Sequence, residues 1–184
     1  MTDIEGSTEL LRRLGGRYSF VLSETRRVLR RAVRASGGHE VDAHADEYFA
    51  SFERASDAFD AALAIQRMLG VHTWPDGVEV RVRAGVHGGR PTLTDTGYVG
   101  LSVHTVARIC SAGHGGQILV SDRICPVMNP TGTMPYRLAA LRSRLRARSR
   151  AASSSNATRS NRGSAFRTCA SSLIGSRRRP FASM

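Results

Sequence analysis

The sequence predicts an α/β domain in which helices pack against a sheet. Apolar residues recur at helical spacing over residues 10–35 and 57–69. Between residues 78 and 86, valines and alanine alternate with charged residues and glycine, which is the period of a strand with one apolar face. Short runs rich in β-branched and aromatic residues stand between the helical segments. Strands and helices in this alternation pack as layers.

The first half of the chain predicts a short strand, a long helix and a hairpin. The strand ends at Asp3, and the helix over residues 10–35 is interrupted near Gly15 and Gly16. Its predicted apolar face consists of Phe20, Val21, Val28, Leu29 and Val33. Residues 39–44 and 47–52 then predict an antiparallel hairpin with Ala45 and Asp46 at its tip.

The next segment predicts a helix over residues 57–69, capped by Ser56. Residues expected to face a core there are Phe59, Ala62, Leu63, Ala64 and Met68. Next come a Pro-Asp-Gly turn, the strand over 78–86 and a loop rich in threonine and glycine. The chain then predicts a helix over 101–111, a strand over 117–121 and a short helix that starts at Asp122. The order β-α-β-β-α-β-α-β predicts a ferredoxin-like βαββαβ sandwich with helices on one face of the sheet.

The C-terminal part differs in charge. Residues 1–136 hold 15 Arg and 15 acids, whereas residues 137–184 hold 12 Arg and no acid, so the tail carries the whole net charge of +12. We therefore divide the chain into a domain over 1–127 and an irregular Arg/Ser-rich tail over 128–184. The composition favours disorder over a basic amphipathic helix at 138–150. A nucleic-acid role for the tail is the weaker interpretation, because charge alone gives no partner preference.

Several classes of protein are disfavoured. The three cysteines form no disulfide framework and no metal-binding spacing, which favours a reducing, cytoplasmic environment. No apolar stretch approaches the ~20 residues that span a bilayer, and residues 1–5 do not resemble a signal peptide. We therefore expect a soluble cytoplasmic protein with no membrane partner.

Two carboxylates are candidates for metal binding. Asp3 ends the first strand just before a Gly-Ser-Thr loop, and Asp46 lies in the hairpin. A ferredoxin-like sheet can place these positions side by side, where they would suit a magnesium–triphosphate complex next to a helix N-terminus. The alternative is that Asp3 only favours a helix dipole and Asp46 only suits a turn. Spacing alone favours this second interpretation.

A second candidate pair lies on the helix over residues 101–111. His104 and Arg108 are one turn apart and share a face. An arginine can stabilise the charge that develops on a transferring phosphoryl group. By itself, however, the pair is better explained as a solvated arginine one turn from a surface histidine.

Four motifs occur in series: the heptapeptide TDIEGST from Thr2, ADEYFASF from Ala45, VRAGVHGG from Val82, and YVGLSVHTVAR from Tyr98 with AGHGGQ from Ala112. Together they resemble the class III adenylate/guanylate cyclase homology domain, of the actinobacterial type and shortened at both ends. The resemblance covers residues 1 to about 125.

The resemblance implies a head-to-tail homodimer with active sites at the subunit interface. Such domains convert a nucleoside triphosphate to the 3′,5′-cyclic monophosphate and diphosphate with two Mg²⁺ or Mn²⁺ ions. By motif position, Asp3, Asp46 and the Ile4 carbonyl would bind the ions. Residues predicted to contact the phosphates are Gly6, Ser7 and Thr8. The transition-state arginine would be Arg108 of the opposite subunit.

The sequence also departs from the family pattern. The base-reading lysine is replaced by Asp42, the hairpin glycine by Ala45 and the transition-state asparagine by His104; the second base-reading position falls near Gly97. A later phosphate-binding lysine has no counterpart, because the chain has no Lys. Purine preference therefore stays open. A non-catalytic regulatory or dimerisation module, and the remnant of a truncated or frameshifted gene, remain alternatives to an active cyclase.

Overall fold

The computed structural model describes residues 1–95 and 97–124, together with the backbone of two short strands farther along the chain. The helices are α1 (Ser7–Leu14), α2 (Tyr18–Ala35), α3 (Ala55–Val71) and α4 (Leu101–Ser111). The strands are β1 (Thr2–Ile4), β2 (His39–Asp42), β3 (Glu47–Ser51), β4 (Val82–Val86), β5 (Thr92–Thr94), β6 (Gly97–Val99), β7 (Ile118–Ser121), β8 (Leu138–Leu141) and β9 (Phe166–Cys169). This order confirms the predicted alternation of strands and helices.

Strand β1 lies in the interior of the main sheet. The described strands of this sheet run in the order β2-β3-β1-β4-β7-β9-β8. β1 is antiparallel to both neighbours, with Thr2 opposite Tyr48 on β3 and opposite Ala84 on β4. β4 and β7 are parallel. The first four strands form the ferredoxin-like core, so the two ends of β1 lie between β3 and β4.

Helices α2 and α3 cover one face of the sheet. Thr2 and Ile4 point toward this face and are buried, while Ala84 and Val86 pack against Phe59 of α3. The α2 side chains buried in this layer are Val21, Val28, Leu29, Ala32 and Val33. Each is at most 5% exposed, so the period-3.6 pattern in α2 predicted the buried stripe well.

Helix α4 packs on the opposite face, which corrects the prediction that all helices share one face. Gly85 stands between Ala84 and Val86 and therefore points away from α3. A Cβ atom at Gly85 would lie 2.7 Å from the backbone nitrogen of Cys110 and 2.9 Å from the carbonyl oxygen of Val106. The missing side chain at Gly85 is what lets α4 approach the sheet so closely.

Other local predictions were wrong in detail. Phe20 is 57% exposed and does not join the core. Ser56 does not cap α3, because the helix begins at Ala55 and no side chain caps it. The loop rich in threonine and glycine contains the hairpin of β5 and β6, and residues from Asp122 to Ile124 form a turn.

The C-terminal segment is described only at β8 and β9. β9 pairs with β7, and β8 pairs with β9. These strands were not predicted. The disfavoured alternative, an amphipathic helix over 138–150, is wrong at its start because the backbone of Leu138–Leu141 is extended. The rest of the predicted disordered tail over 128–184 lies outside the described residues. Within the described part, no helix is long and apolar enough to cross a membrane.

Candidate functional site

The structure brings Asp3 and Asp46 together. Because Thr2 and Ile4 point into the α2–α3 layer, Asp3 between them points to the other face of the sheet. Asp46 immediately precedes Glu47, the residue opposite Asp3 in β3. The two carboxyl groups are within hydrogen-bonding distance of one another. The adjacency proposed from topology is therefore present.

Arg83 on β4 completes this cluster. Its Nε donates to Asp3 Oδ2 at 2.5 Å, a second guanidinium nitrogen contacts the same oxygen, and an Nη group donates to the Ser111 carbonyl at 3.3 Å. Burial raises the pKa of Asp3; the Arg83 guanidinium opposes this rise, and the neighbouring Asp46 carboxyl adds to it. Arg83 thus supplies the positive charge that the two carboxylates need to ionise side by side.

Sequence reasoning missed Arg83. Within the alternating strand pattern it occupied the polar face, which suggested solvent exposure. The signal that could have identified it is positional: Arg83 is directly opposite Asp3 in the pairing of β1 with β4.

Ser7 of α1 and Tyr18 of α2 both interact with the Asp46 carboxylate. Burial would raise the pKa of Asp46, but hydrogen bonds from Ser7 and from the backbone outweigh it, so the pKa lies below its usual range. The Ser7 hydroxyl also hydrogen-bonds to Tyr18, whose own pKa is raised mainly by burial. The Ser7 side chain is therefore engaged with a carboxylate.

The backbone at Gly6, Ser7 and Thr8 opens α1. Gly6 has a φ of +65°, and its carbonyl accepts hydrogen bonds from the Glu9 and Leu10 amides. The first N–H groups of a helix lack partners within the helix, so they are available to an anion. This helix start lies next to Asp3 in the chain, as the motif implies.

The turn that carries Asp46 is held by Arg26 of α2. A guanidinium nitrogen of Arg26 donates to the carbonyls of Ala43 at 3.1 Å and Ala45 at 2.7 Å. Ala45 has a φ of +45°, a conformation that suits glycine better. Asp42 accepts a hydrogen bond from the Ala43 amide at 2.8 Å and is exposed. Its carboxylate is bonded to its own turn, and no base-reading geometry is visible around it.

His104 and Arg108 lie on the exposed side of α4. Both side chains are exposed, while Val106, Ile109 and Cys110 are buried against the sheet. Among the described residues, no hydrogen bond or ion pair joins either of them to Asp3 or Asp46.

The carboxylate pair fits a hard divalent cation. Mg²⁺ typically takes one or two carboxylates together with substrate phosphates and waters. The Ile4 carbonyl at the end of β1 is one more oxygen donor beside Asp3. Over the described ranges, no cluster of three or more acidic, His or Cys side chains exists. The donor set therefore suits an ion that a phosphate ligand helps to bind.

The fold of the chain recurs in solved nucleotide cyclases. A structure of adenylate cyclases from Trypanosoma brucei in their monomeric state has a TM-score of 0.73 at 18% identity, covering 99% of this chain and 89% of that one. The catalytic core of a rhodopsin-guanylyl cyclase with converted specificity, solved with ATPαS, has a TM-score of 0.69 at 19% identity, covering 91% and 89%. The chain has the class III cyclase fold. The resemblance to class III cyclase domains inferred from the four motifs is confirmed, without its actinobacterial type.

The chain is also similar in sequence to an adenylate cyclase and to an uncharacterized protein. An adenylate cyclase of Mycosarcoma maydis is 33% identical over 148 residues, which is 67% of this chain. An uncharacterized protein of Mycobacterium tuberculosis is 30% identical over 137 residues, or 73% of the chain. The chain spans 6% of the fungal protein and 45% of the mycobacterial one. No family model matches the chain.

Proposed function

We propose that the domain is one subunit of a nucleotidyl cyclase that converts ATP, or alternatively GTP, to the 3′,5′-cyclic monophosphate and diphosphate. The observation that carries this proposal is the juxtaposition of Asp3 and Asp46 beside the start of α1. Isolated turn and cap residues would have no reason to bring two carboxyl groups within hydrogen-bonding distance, because like charges repel. Arg83 balances one of the two negative charges, and a bound cation would balance the other.

Each residue of the cluster has a role in this proposal. Asp3, Asp46 and the Ile4 carbonyl would hold two Mg²⁺ or Mn²⁺ ions, which would neutralise the charge of the triphosphate. The N–H groups at Gly6, Ser7 and Thr8 donate to phosphate oxygens. Arg83 holds the Asp3 carboxylate in position through its ion pair, and its own side chain remains 30% exposed.

A second copy supplies the remaining groups. Arg108 stabilises the charge on the reacting phosphoryl group, and His104 donates a hydrogen bond beside it. Three apolar side chains in β5, in β6 and at the start of α4 are exposed: Leu93 is 68% exposed, Val99 45% and Leu101 82%. Exposed apolar side chains grouped around β5, β6 and the start of α4 support a homodimer that covers them.

The direct test is product formation by the purified protein with Mn²⁺ and either ATP or GTP. We expect turnover that Asp46→Ala and Arg108→Ala each reduce at least a hundredfold, as expected when a metal ligand or a charge-stabilising group is removed. Asp60→Ala and Arg31→Ala are matched controls, because both side chains are exposed and lie away from the cluster. Turnover that survives Asp46→Ala would contradict the assignment.

A second function is favoured by two substitutions at the site. Asp42 replaces a base-reading lysine and is bonded to its own turn, and His104 replaces an asparagine. These changes support a domain that binds a nucleoside triphosphate and dimerises without turnover. Such a domain would show a rise in Tm with Mn²⁺ and nucleotide that Asp46→Ala removes, but no cyclic product.

A further inference from the structure

Ala45 at the tip of the β2–β3 hairpin has a backbone conformation in which an alanine is strained. Its φ is +45°, whereas glycine adopts such angles without strain. Strained backbone persists only where surrounding contacts hold it, and it clusters at functional sites. The residue that follows is Asp46, one of the two carboxylates of the candidate site. The contacts that hold Ala45 therefore also decide where Asp46 lies.

Arg26 of α2 supplies such contacts from outside the hairpin. One of its guanidinium nitrogens donates to the Ala43 carbonyl at 3.1 Å and to the Ala45 carbonyl at 2.7 Å. The Ala45 carbonyl belongs to the planar peptide unit that includes the nitrogen of Asp46. Once that plane is fixed, rotation about the N–Cα bond of Asp46 is the one backbone freedom left to aim its side chain. Arg26 therefore limits the directions in which the Asp46 carboxylate can point.

Packing of the Arg26 side chain does not by itself explain an arginine at this position. Its Nε atom is buried and has no hydrogen-bond partner. A buried N–H without an acceptor is unfavourable, and an apolar side chain of similar length would fill the same space without that cost. The compensating contacts are the two hydrogen bonds to the hairpin turn. The guanidinium, rather than the aliphatic stem, is therefore what the turn requires.

The position of Asp46 is one that electrostatic repulsion opposes. Its carboxyl group lies within hydrogen-bonding distance of Asp3, and two carboxylates repel each other. Ser7 bonds to the Asp46 carboxylate, but this contact holds the side chain and not the turn. If Arg26 were absent, Ala45 could relax to a negative φ, and Asp46 would then move away from Asp3.

We propose that Arg26 is a positioning residue for the candidate cation site: it holds Ala45 in its strained conformation, so that Asp46 stays beside Asp3. The link to a cation rests on the proposed function, whereas the contact of Arg26 with the turn does not. Side chains that orient metal ligands in this way typically change metal affinity when they are replaced. A glycine at position 45 would adopt the same backbone conformation without help, so it should make Arg26 less necessary.

The test uses the full chain and three variants of the contact: Arg26→Met, Arg26→Lys and the double variant Arg26→Met/Ala45→Gly. Arg27→Met is the matched control, because Arg27 is the next residue of α2 and is exposed. Electron paramagnetic resonance of the free ion gives the dissociation constant for Mn²⁺. Without metal, hydrogen exchange is measured at the Glu47 amide, which donates to the His44 carbonyl at 2.8 Å in the same turn. Circular dichroism establishes that each variant is folded.

We expect Arg26→Met to weaken Mn²⁺ binding about tenfold, as the loss of a contact that orients a metal ligand does, and to accelerate exchange of the Glu47 amide. Arg26→Lys should stay within about threefold of the wild type, because both hydrogen bonds come from one nitrogen and an ammonium can also donate two. The double variant should recover to a similar level, about threefold, because glycine removes the strain. Arg27→Met should bind Mn²⁺ as the wild type does.

Three results would overturn the proposal. They are an unchanged Mn²⁺ affinity in Arg26→Met, an equal loss in the single and double variants, and a double variant that fails to fold. A wild-type protein that binds no Mn²⁺ would contradict the proposed function instead. Exchange of the Glu47 amide then decides the matter alone, and equal rates in Arg26→Met and the wild type would show that Arg26 does not hold the turn.

Discussion

Arg83 and Asp3 form an ion pair between the two central strands, with Arg83 Nε 2.5 Å from Asp3 Oδ2. Asp46 adjoins the same carboxylate, so one guanidinium balances two acids. The pair is only partly exposed, with 13% of the Asp3 side chain accessible. Charge balance at the candidate site therefore depends on Arg83 until a cation binds.

Replacing Arg83 should destabilise the domain. Arg83→Gln leaves Asp3 and Asp46 without a counter-ion, and we expect a loss of about 2 kcal/mol in the free energy of unfolding, in the range for a hydrogen bond to a charged group. Arg81→Gln removes an ion pair with Glu79 that is largely exposed, and should have a much smaller effect. Urea denaturation of both variants measures the difference. Equal effects would contradict the role of Arg83.

The pKa of Asp3 should depend on Asp46. Asp46→Asn removes the neighbouring acid, so the pKa of Asp3 should fall, with Arg83 still in place to favour the ionised form. Carboxyl NMR titration measures this, and Asp60→Asn is the exposed control. An acid whose pKa is raised by folding stabilises the fold most at low pH, and that contribution is lost as the pH rises through the folded-state pKa. The contribution of Asp3 should therefore be smaller in Asp46→Asn, because the pKa of Asp3 is raised less in that variant.

The tip of the β2–β3 hairpin is strained at Ala45. Its φ of +45° costs an L-residue other than glycine about 1 kcal/mol or more. Ala45→Gly should therefore raise the free energy of unfolding by about 1 kcal/mol, provided Arg26 still holds the turn. Ala43→Gly in the same hairpin has no positive φ to relieve and should lower it. Thermal unfolding compares the two, and a loss of stability in Ala45→Gly would contradict the assignment of strain.

Gly85 sets the distance between α4 and the sheet. A methyl group there would press on the backbone of Cys110 and Val106, which cannot yield as a side chain can. Gly85→Ala should cost about 1–3 kcal/mol, as overpacking does. Gly70→Ala in α3 meets nothing within 4 Å and should stabilise the helix by about 0.8 kcal/mol. Calorimetry of the two variants should show opposite signs; a stabilising Gly85→Ala would refute the close contact.

Local periodicity predicted most elements of the fold. Val21 and Leu29 in α2, and Val82 and Val86 in β4, are buried where the 3.6- and 2-residue patterns place them. The side of the sheet on which α4 packs was not predictable in this way. The packing of α4 depends on Gly85. A glycine in a strand pattern does not indicate whether that position faces solvent or a helix.

The candidate site was predicted in part. Topology placed Asp3 and Asp46 side by side, because β1 lies next to the hairpin. Arg83 and Arg26 could not be identified, because their roles depend on strand register and on a helix-to-turn contact between residues distant in sequence. The roles of Arg108 and His104 stay predictions, since they require a second copy of the chain.

The composite site is tested most directly by mixing two inactive variants. Asp46→Ala and Arg108→Ala are purified, shown to be folded, mixed in equal amounts and assayed for cyclic nucleotide formation with Mn²⁺. If carboxylates from one copy act with Arg108 from the other, mixed dimers contain one intact site, and activity should return to about a quarter of the wild-type value. Wild-type turnover with no recovery in the mixture would contradict a site shared between two copies.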